Sequence, residues 1–311
     1  MTEKNVKVWA TVALFAASVI WGGSFVTMKD TLDDLSPAYL LSVRFGIAAV
    51  VLALIFFRKW KLLTKKYIVP SIVLGAATSI PYLVQTYGLK YTTPGENAFL
   101  TSIYCFIVPF LYWLIDRKKP DIYVYSAAVL CIAGIGLVSV ESDAGSFSVG
   151  LGEILTLISG CLYSVQIVMM AHYGEGFIPG LLVSLHLFFA SLFMLPYALF
   201  VEHSVKPLSV DMLPELLFLA VFASAFALLF QHFGIKHCSP STSSIILALE
   251  SVFGIIFSLI AGMEKDVTLR QWIGFAVVFI AVIVSETKLS FLRGKKTVKP
   301  ETSEGKEQSD E

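Results

Sequence analysis

An all-α integral membrane protein, with ten transmembrane helices arranged as two inverted five-helix repeats, is the fold class this sequence predicts, on three observations. First, 56% of the 311 residues are hydrophobic and only 15% are charged. The mean hydropathy is +0.77, well outside the range of a soluble domain of this size. Second, the chain divides into apolar runs of about 18 to 22 residues, each long enough to cross a hydrocarbon layer ~30 Å thick. Third, YGLKYTTP at Tyr87 to Pro94 returns as FGIKHCSP at Phe233 to Pro240, 146 residues later.

The runs fall at about 8–28, 37–57, 69–89, 93–115 and 122–140, then at 150–170, 179–200, 213–233, 240–261 and 270–289. The first follows Lys4 and Lys7, lacks a small-residue cleavage site and is long enough to span, so it is expected to be a retained helix. Only YTTPGE separates the third run from the fourth, and only HCSPS the eighth from the ninth. Pro94 and Pro240 place a break in each case. The expected organisation is a first repeat over 8–140, a second over 150–289, and a cytoplasmic tail at 292–311 whose Lys, Glu and Ser content predicts disorder.

Loop charge sets the orientation, because cytoplasmic loops carry the excess of Lys and Arg. With the N-terminus inside, 17 such residues lie on the inner side and five on the outer, with Arg44 left within a helix. A multi-pass protein of the cell (plasma) membrane with both termini cytoplasmic is therefore expected. The repeat extends from Gln85 with Gln231 to Thr78 with Ser224. At an offset of 142, Pro37, Ser42 and Arg44 pair with Pro179, Ser184 and His186. Five helices per half is an odd number, so the second half must cross in the opposite sense. Inverted repeats of this kind mark alternating-access transporters, with the substrate site near the midplane between the halves.

Other classes find little support. Cys105, Cys131, Cys161 and Cys238 lack metal-ligand or redox spacing, and His232 and His237 have no partner at zinc spacing, so no metal site is expected. No phosphate-cradling loop, nucleophile elbow or zinc-helix motif occurs, which leaves no catalytic residues, no cofactor and no ATP coupling to expect. No basic stripe points to nucleic acid.

The intramembrane polar residues are the site candidates. Glu250 is the only ionisable residue between Pro240 and Ile260, ten residues into its helix and so near mid-bilayer. A carboxyl group there costs at least ~2.5 kcal/mol by insertion scales, so it must face protein, water or ligand. It could contact a cation or amine, exchange protons, or serve as a structural acid. Its repeat counterpart is Tyr104. Asn97, Thr101, Tyr104 and Tyr112 share one helix face, and Ser243, Glu250, Gly254 and Ser258 form the matching stripe. For the serines and threonines, close helix packing is the stronger reading. Arg44 lies ~10 Å below the outer boundary, where it could snorkel to headgroups or meet an anion. Its partner His186 favours a cavity position for Arg44, although a histidine there is more often a packing residue than a relay. Trp21 is too deep for the interfacial belt that suits Trp9, Trp60 and Trp272, and either lines the cavity or packs on Gly22 and Gly23. For Gln85 and Gln231 a structural role is favoured over substrate contact.

Several segments together resemble the EamA-type family of the drug/metabolite transporter superfamily. They are IWGGSFVTMK from Ile20, SVRFGIAA around Arg44, NAFLTSIYCFIVP from Asn97, LALES from Leu247 and EKDVTLRQWIG from Glu264. The resemblance covers nearly all of 8–286 and implies a ten-helix, two-repeat transporter whose cavity is lined by helices one, three, four, six, eight and nine. Where the family has Glu-Pro in the ninth helix, this chain has Glu250-Ser251, which puts the usual kink in doubt.

The expected function is a secondary transporter that moves a small metabolite or amino-acid-like solute by alternating access, in the direction of export. Candidate substrate contacts are Trp21, Arg44, Asn97, Thr101, Tyr104, His186, Ser243 and Glu250, with Glu250 also the candidate for proton coupling. The partners are the small-molecule solute, the lipid bilayer and protons. The rival is a membrane-embedded enzyme or receptor that uses Glu250 without solute flux.

Overall fold

The apolar runs fold as helices in a computed structural model that describes residues 2–117, 119–139, 150–203, 208–264 and 268–287, with no strand among them. The tail expected at 292–311 lies outside the described residues. The first half comprises α1 (Glu3–Thr31), α2 (Pro37–Ile55), α3 (Ile68–Tyr91), α4 (Pro94–Thr101), α5 (Tyr104–Asp116) and α6 (Ile122–Ser139). The second comprises α7 (Leu151–Gly174), α8 (Pro179–Phe200), α9 (Leu213–Leu217), α10 (Ala227–His237), α11 (Pro240–Leu247), α12 (Glu250–Ile260) and α13 (Leu269–Thr287). A π-helical stretch, Phe218–Phe226, joins α9 to α10. Taking α4–α5, Val210–His237 and α11–α12 each as one span, eight helical stretches of the described residues are long and apolar enough to cross a membrane. Two shorter apolar helices, Ile122–Gly134 and Trp272–Ser285, lie within α6 and α13.

The repeated sequence produces repeated local structure. Thr93-Pro94 and Ser239-Pro240 each supply a capping hydroxyl and a proline at the first helical position. Thr93 Oγ1 accepts from the Glu96 amide at 3.2 Å and Ser239 Oγ from the Thr242 amide at 3.1 Å. The repeated glycine is explained by close approach. At Gly88 a methyl group would collide with Thr156 of α7, and at Gly234 with Leu14 of α1. Gly88 thus lets α3 pack on α7, and Gly234 lets α10 pack on α1.

Both proline-initiated helices are interrupted after two turns, α4 at Ser102–Ile103 and α11 at Ala248–Leu249, again 146 residues apart. The helix tightens there into i→i+3 bonds. Ser102 and Ile103 donate to the Phe99 and Leu100 carbonyls, and Leu249 donates to that of Ile246. The doubt raised by Glu250-Ser251 is thereby answered, because the break forms without proline. Ser251 Oγ donates to the Ala248 carbonyl at 2.7 Å, which also takes the Ser251 amide at 3.1 Å. Such back-bonding bends a helix.

Packing between the halves follows the same exchange. α4 packs on α12 and α5 on α11, α3 on α7 and α1 on α10, α1 on α12 and α5 on α7, while α2 pairs with α8 and α6 with α13. Replacing each element by its counterpart in the other half returns the same set of neighbours. The outward faces carry exposed Leu54, Val69, Phe188, Phe222 and Ile260, as expected where hydrocarbon is the solvent. Trp9, Trp60 and Trp272 are exposed, whereas Trp21 is buried, only 8% exposed.

Candidate functional site

A narrow cavity of about 30 Å³ lies at the centre of the bundle, walled by both halves. α1 contributes Trp21, Ser24, Phe25 and Met28, α2 Arg44, α3 Tyr82 and Gln85, and α5 Tyr104. α7 contributes Tyr163, Gln166 and Ile167, α10 Gln231, α11 Leu247 and α12 Glu250. The helices the resemblance implied are all present, and α2 is an addition.

The two helix interruptions meet at this cavity. Tyr104 is the first residue of α5 and Glu250 the first of α12. The Tyr104 hydroxyl donates to Glu250 Oε1 at 2.8 Å, and this is the only hydrogen bond of the Glu250 side chain among the described residues. Because α4–α5 and α11–α12 pack first part on second part, equivalent positions in the two halves come face to face.

Arg44 is 1% exposed, which rules out snorkelling to headgroups. Its Nε donates to Ser224 Oγ at 2.8 Å, Nη1 to Met28 Sδ at 3.2 Å and Nη2 to the Ala223 carbonyl at 3.4 Å. Its Cζ sits 5.6 Å from the Phe45 ring centroid and 5.4 Å from that of Tyr82. Among the described residues no carboxylate lies within ion-pair distance of Arg44, and the ion pair found there joins His172 to Asp116 at 3.5 Å. Ala223 and Ser224 belong to the π-helical stretch, whose wider turn leaves polar groups for outside partners. The Ala223 carbonyl also accepts from Trp21 Nε1 at 2.8 Å, so one turn of α9–α10 fixes both Arg44 and Trp21. Trp21 therefore lines the cavity, while the neighbouring Gly22 faces Phe253 and Gly254 of α12.

Of the eight candidates, the structure gathers Trp21, Arg44, Tyr104 and Glu250 in the cavity lining and leaves Asn97, Thr101, His186 and Ser243 outside it. Asn97 and Thr101 stand behind the wall. Asn97 Nδ2 donates to Thr156 Oγ1 at 2.7 Å, Thr101 Oγ1 to the Asn97 carbonyl at 2.7 Å, and Gln85 Nε2 to Thr101 Oγ1 at 3.0 Å. Tyr163 OH completes the chain by donating to Gln85 Oε1 at 2.8 Å, which holds the Gln85 amide against the cavity. His186 and Ser243 are fully buried, with no hydrogen-bond partner for their side chains among the described residues. No group of His, Cys, Asp and Glu suited to a metal ion occurs among the described residues.

Sequence reasoning missed Tyr82, Tyr163 and Gln166, and ranked Gln85 and Gln231 as structural. Only Gln85 and Gln231 carried a signal, their place in the 146-residue repeat.

Comparison with known proteins agrees with this architecture. A relative in Archaeoglobus fulgidus named "Uncharacterized transporter" is 28% identical over 278 residues, covering 89% of this chain and 86% of its own. The "Uncharacterized transporter YetK" of Bacillus subtilis is 28% identical over 291 residues, covering 90% of this chain and 87% of its own. A solved crystal structure superposes with a TM-score of 0.75 at 14% identity, over 91% of this chain and 98% of that one, which bears on the fold alone. The model of the EamA-like transporter family matches twice, at residues 8–140 and 150–287. With a polytopic helical body and both halves matching one family pattern, this multi-pass membrane protein belongs to the EamA-like transporter family.

Proposed function

We propose that this transporter is a secondary exporter of a small metabolite or amino-acid-like solute, working by alternating access of the central cavity between two inverted five-helix halves. The observation that carries the reading is the Tyr104–Glu250 contact, in which equivalent residues of the two halves meet across the cavity. Ten crossings, including α6 and α13, place both termini in the cytoplasm under the loop-charge rule and give each half an odd number of spans. In such a scheme the halves rock about the cavity, and the solute is released on alternate sides. Trp21, Arg44, Tyr104 and Glu250 contact the solute. Asn97 and Thr101 support the wall through Gln85, and His186 and Ser243 shape the packing outside it.

Glu250 is the proposed proton-exchanging group. Besides Tyr104, the titratable groups lining the same cavity are Arg44, Tyr82 and Tyr163, so no second carboxylate competes for the role. An intramembrane carboxyl at the solute site couples flux to a proton gradient when its protonation differs between the two access states. The test is uptake and efflux of a solute panel in proteoliposomes, with and without a pH gradient. Wild-type protein should show gradient-driven flux, and Glu250→Gln should lose that response together with at least about tenfold of the rate, equivalent to about 1.4 kcal/mol. Full gradient-dependent flux in the variant would overturn the coupling role.

A further inference from the structure

We propose that His186 and His232 form a proton relay between one end of the bundle and the wall of the central cavity. The relay rests on the transporter reading above and deepens it by giving Glu250 a proton route.

The α7–α8 and α10–α11 connections lie at the same end of the bundle, where Lys236 Nζ donates to the Phe177 carbonyl at 3.2 Å. Helix rise grades the polar groups inward from that end. His232 lies five residues before the end of α10, ~8 Å deep, and His186 seven residues after the start of α8, ~10 Å deep. Gln166 follows at ~12 Å on α7, eight residues before its end, and Glu250 at ~15 Å, ten residues after Pro240. The His232 ring is set against α7, since a methyl group on Gly174 would stand 2.7 Å from its Nε2, and α8 packs on α10. Gln166 belongs to the cavity wall that also holds Glu250. The series therefore runs from solvent at the exposed Lys236 to the cavity.

Atoms along this series lack protein partners. His186 and His232 are 0% and 2% exposed. Neither nitrogen of His186, nor Nδ1 of His232, nor either amide atom of Gln166 has a hydrogen-bond partner among the described residues. The amide atoms of Gln166 are buried from the cavity as well as from solvent. A neutral imidazole presents one donor and one acceptor, and buried polar groups are almost always satisfied. Packing alone thus leaves two successive imidazoles and an amide unexplained, whereas groups that bond in turn to a moving proton account for all three.

The repeat shows what the same positions do when the protein itself satisfies them. The counterparts of His186 and His232 are Arg44 and Thr86, at offsets of 142 and 146. Arg44 makes three hydrogen bonds, and Thr86 Oγ1 donates to the Tyr82 carbonyl at 2.7 Å. In the second half both are replaced by histidine, the side chain that exchanges protons near neutrality. The titratable neighbour of His186 is His232, and that of His232 is Lys236. On the packed elements α2, α3 and α7, the titratable Arg44, Tyr82 and Tyr163 group with one another and with Glu250. Among the described residues no carboxylate lies within ion-pair distance of either ring to hold it permanently charged. In the relay a proton enters His232 from solvent beside Lys236, passes to His186 and then past Gln166 to Glu250. Each imidazole takes up a proton on one ring nitrogen and gives one up from the other, and so ends neutral.

The test is exchange of the imidazole N–H protons with water, read by NMR on the full-length protein in nanodiscs with isotope-labelled histidine. The His186 signal is the one lost in His186→Gln. In wild type its N–H should exchange with solvent, and His232→Phe should slow that exchange at least about tenfold. His232→Leu serves if the phenylalanine variant does not fold. The second reading is the rate at which Glu250 changes protonation after a pH jump, followed by the infrared carboxyl band that Glu250→Gln removes. His186→Phe and His232→Phe should each slow this rate at least about tenfold with its final extent unchanged, which a merely structural role would not produce. A His186 N–H that does not exchange in wild type overturns the relay, and so does exchange that neither His232 variant slows. A Glu250 rate that is measurable but untouched by both histidines overturns it as well. If Glu250 keeps one protonation state while His186 exchange depends on His232, the coupling role of Glu250 falls and the relay stands. Both rates as expected without gradient-driven flux in proteoliposomes would sink the transporter reading alone.

Discussion

At the scale of single residues the account turns on the hydrogen bond from Tyr104 to Glu250, 2.8 Å long and wholly buried. Bonds to charged or strongly polar groups in such places contribute about 1.5–3 kcal/mol, and the two partners should therefore couple. We expect a double-mutant cycle of Tyr104→Phe and Glu250→Gln, read from unfolding free energies in mixed micelles, to give an interaction energy of about 1–2 kcal/mol. Strict additivity would place the two side chains apart. The sequence exposes this pair for a plain reason. A carboxylate alone in an apolar helix is too costly to face lipid, and the 146-residue offset leads from it to Tyr104. It does not expose Tyr82, Tyr163 or Gln166, because a tyrosine or glutamine in a membrane helix looks the same whether it faces a neighbour or a cavity. Asn97 and Thr101 show the opposite error. They share the helical face that sequence spacing assigns them, yet α3 and α7 cover that face and turn them into supports for Gln85.

At the scale of elements, the break between α11 and α12 makes a specific statement about Ser251. It is the second residue of α12, so its amide bonds back across the break to the Ala248 carbonyl and takes no part in the α12 ladder, and its hydroxyl bends the chain onto the same carbonyl. Ser251→Pro should therefore stay within about 1 kcal/mol of wild type, whereas Ile256→Pro, inside α12, should cost about 3 kcal/mol or more. Equal and severe loss of folded protein in both would contradict a helix that restarts at Glu250. The helix starts at Pro94 and Pro240 were legible because capping hydroxyl and proline form a local code. The π-helical stretch was not legible, since FLAVFASAF contains neither glycine nor proline and its wider turns are set by contacts with Trp21 and Arg44. The lysine of the IWGGSFVTMK segment was also silent in sequence. Lys29 Nζ donates to the carbonyls of Leu89 at 2.8 Å, Lys90 at 3.1 Å and Thr92 at 2.9 Å, closing the C-terminus of α3 with a cation.

At the scale of the whole molecule, the two ends of the bundle are fastened differently. Where α3 ends and α4 begins, carboxylates of the second half hold the first. Glu202 accepts from the Ala38 amide at 3.0 Å and the Tyr87 hydroxyl at 2.6 Å, and Glu264 accepts from Thr93 Oγ1 and the Gly95 amide, both at 2.8 Å. At the opposite end the halves meet through the Ile178 amide on Tyr67 OH at 3.2 Å and the longer His172–Asp116 pair. Under the orientation proposed from loop charge, the carboxylate-fastened end is the outer one, and Glu202 and Glu264 are then expected to hold the cavity closed to the outside. Releasing Glu264 from the α4 N-terminus by Glu264→Ala removes about 1 kcal/mol of that closure, equivalent to about fivefold in the population open to the outside.

Access to the cavity is the most direct measure of alternation between the halves. Ser24 lines the cavity from α1, and a Ser24→Cys variant, in a protein whose four native cysteines are replaced, reports who can reach it. A membrane-impermeant thiol reagent should label this position in proteoliposomes from the outer and the inner face alike, with Glu264→Ala raising the outer rate about fivefold. Labelling confined to one face in both proteins would contradict a cavity that opens alternately to the two sides of the membrane.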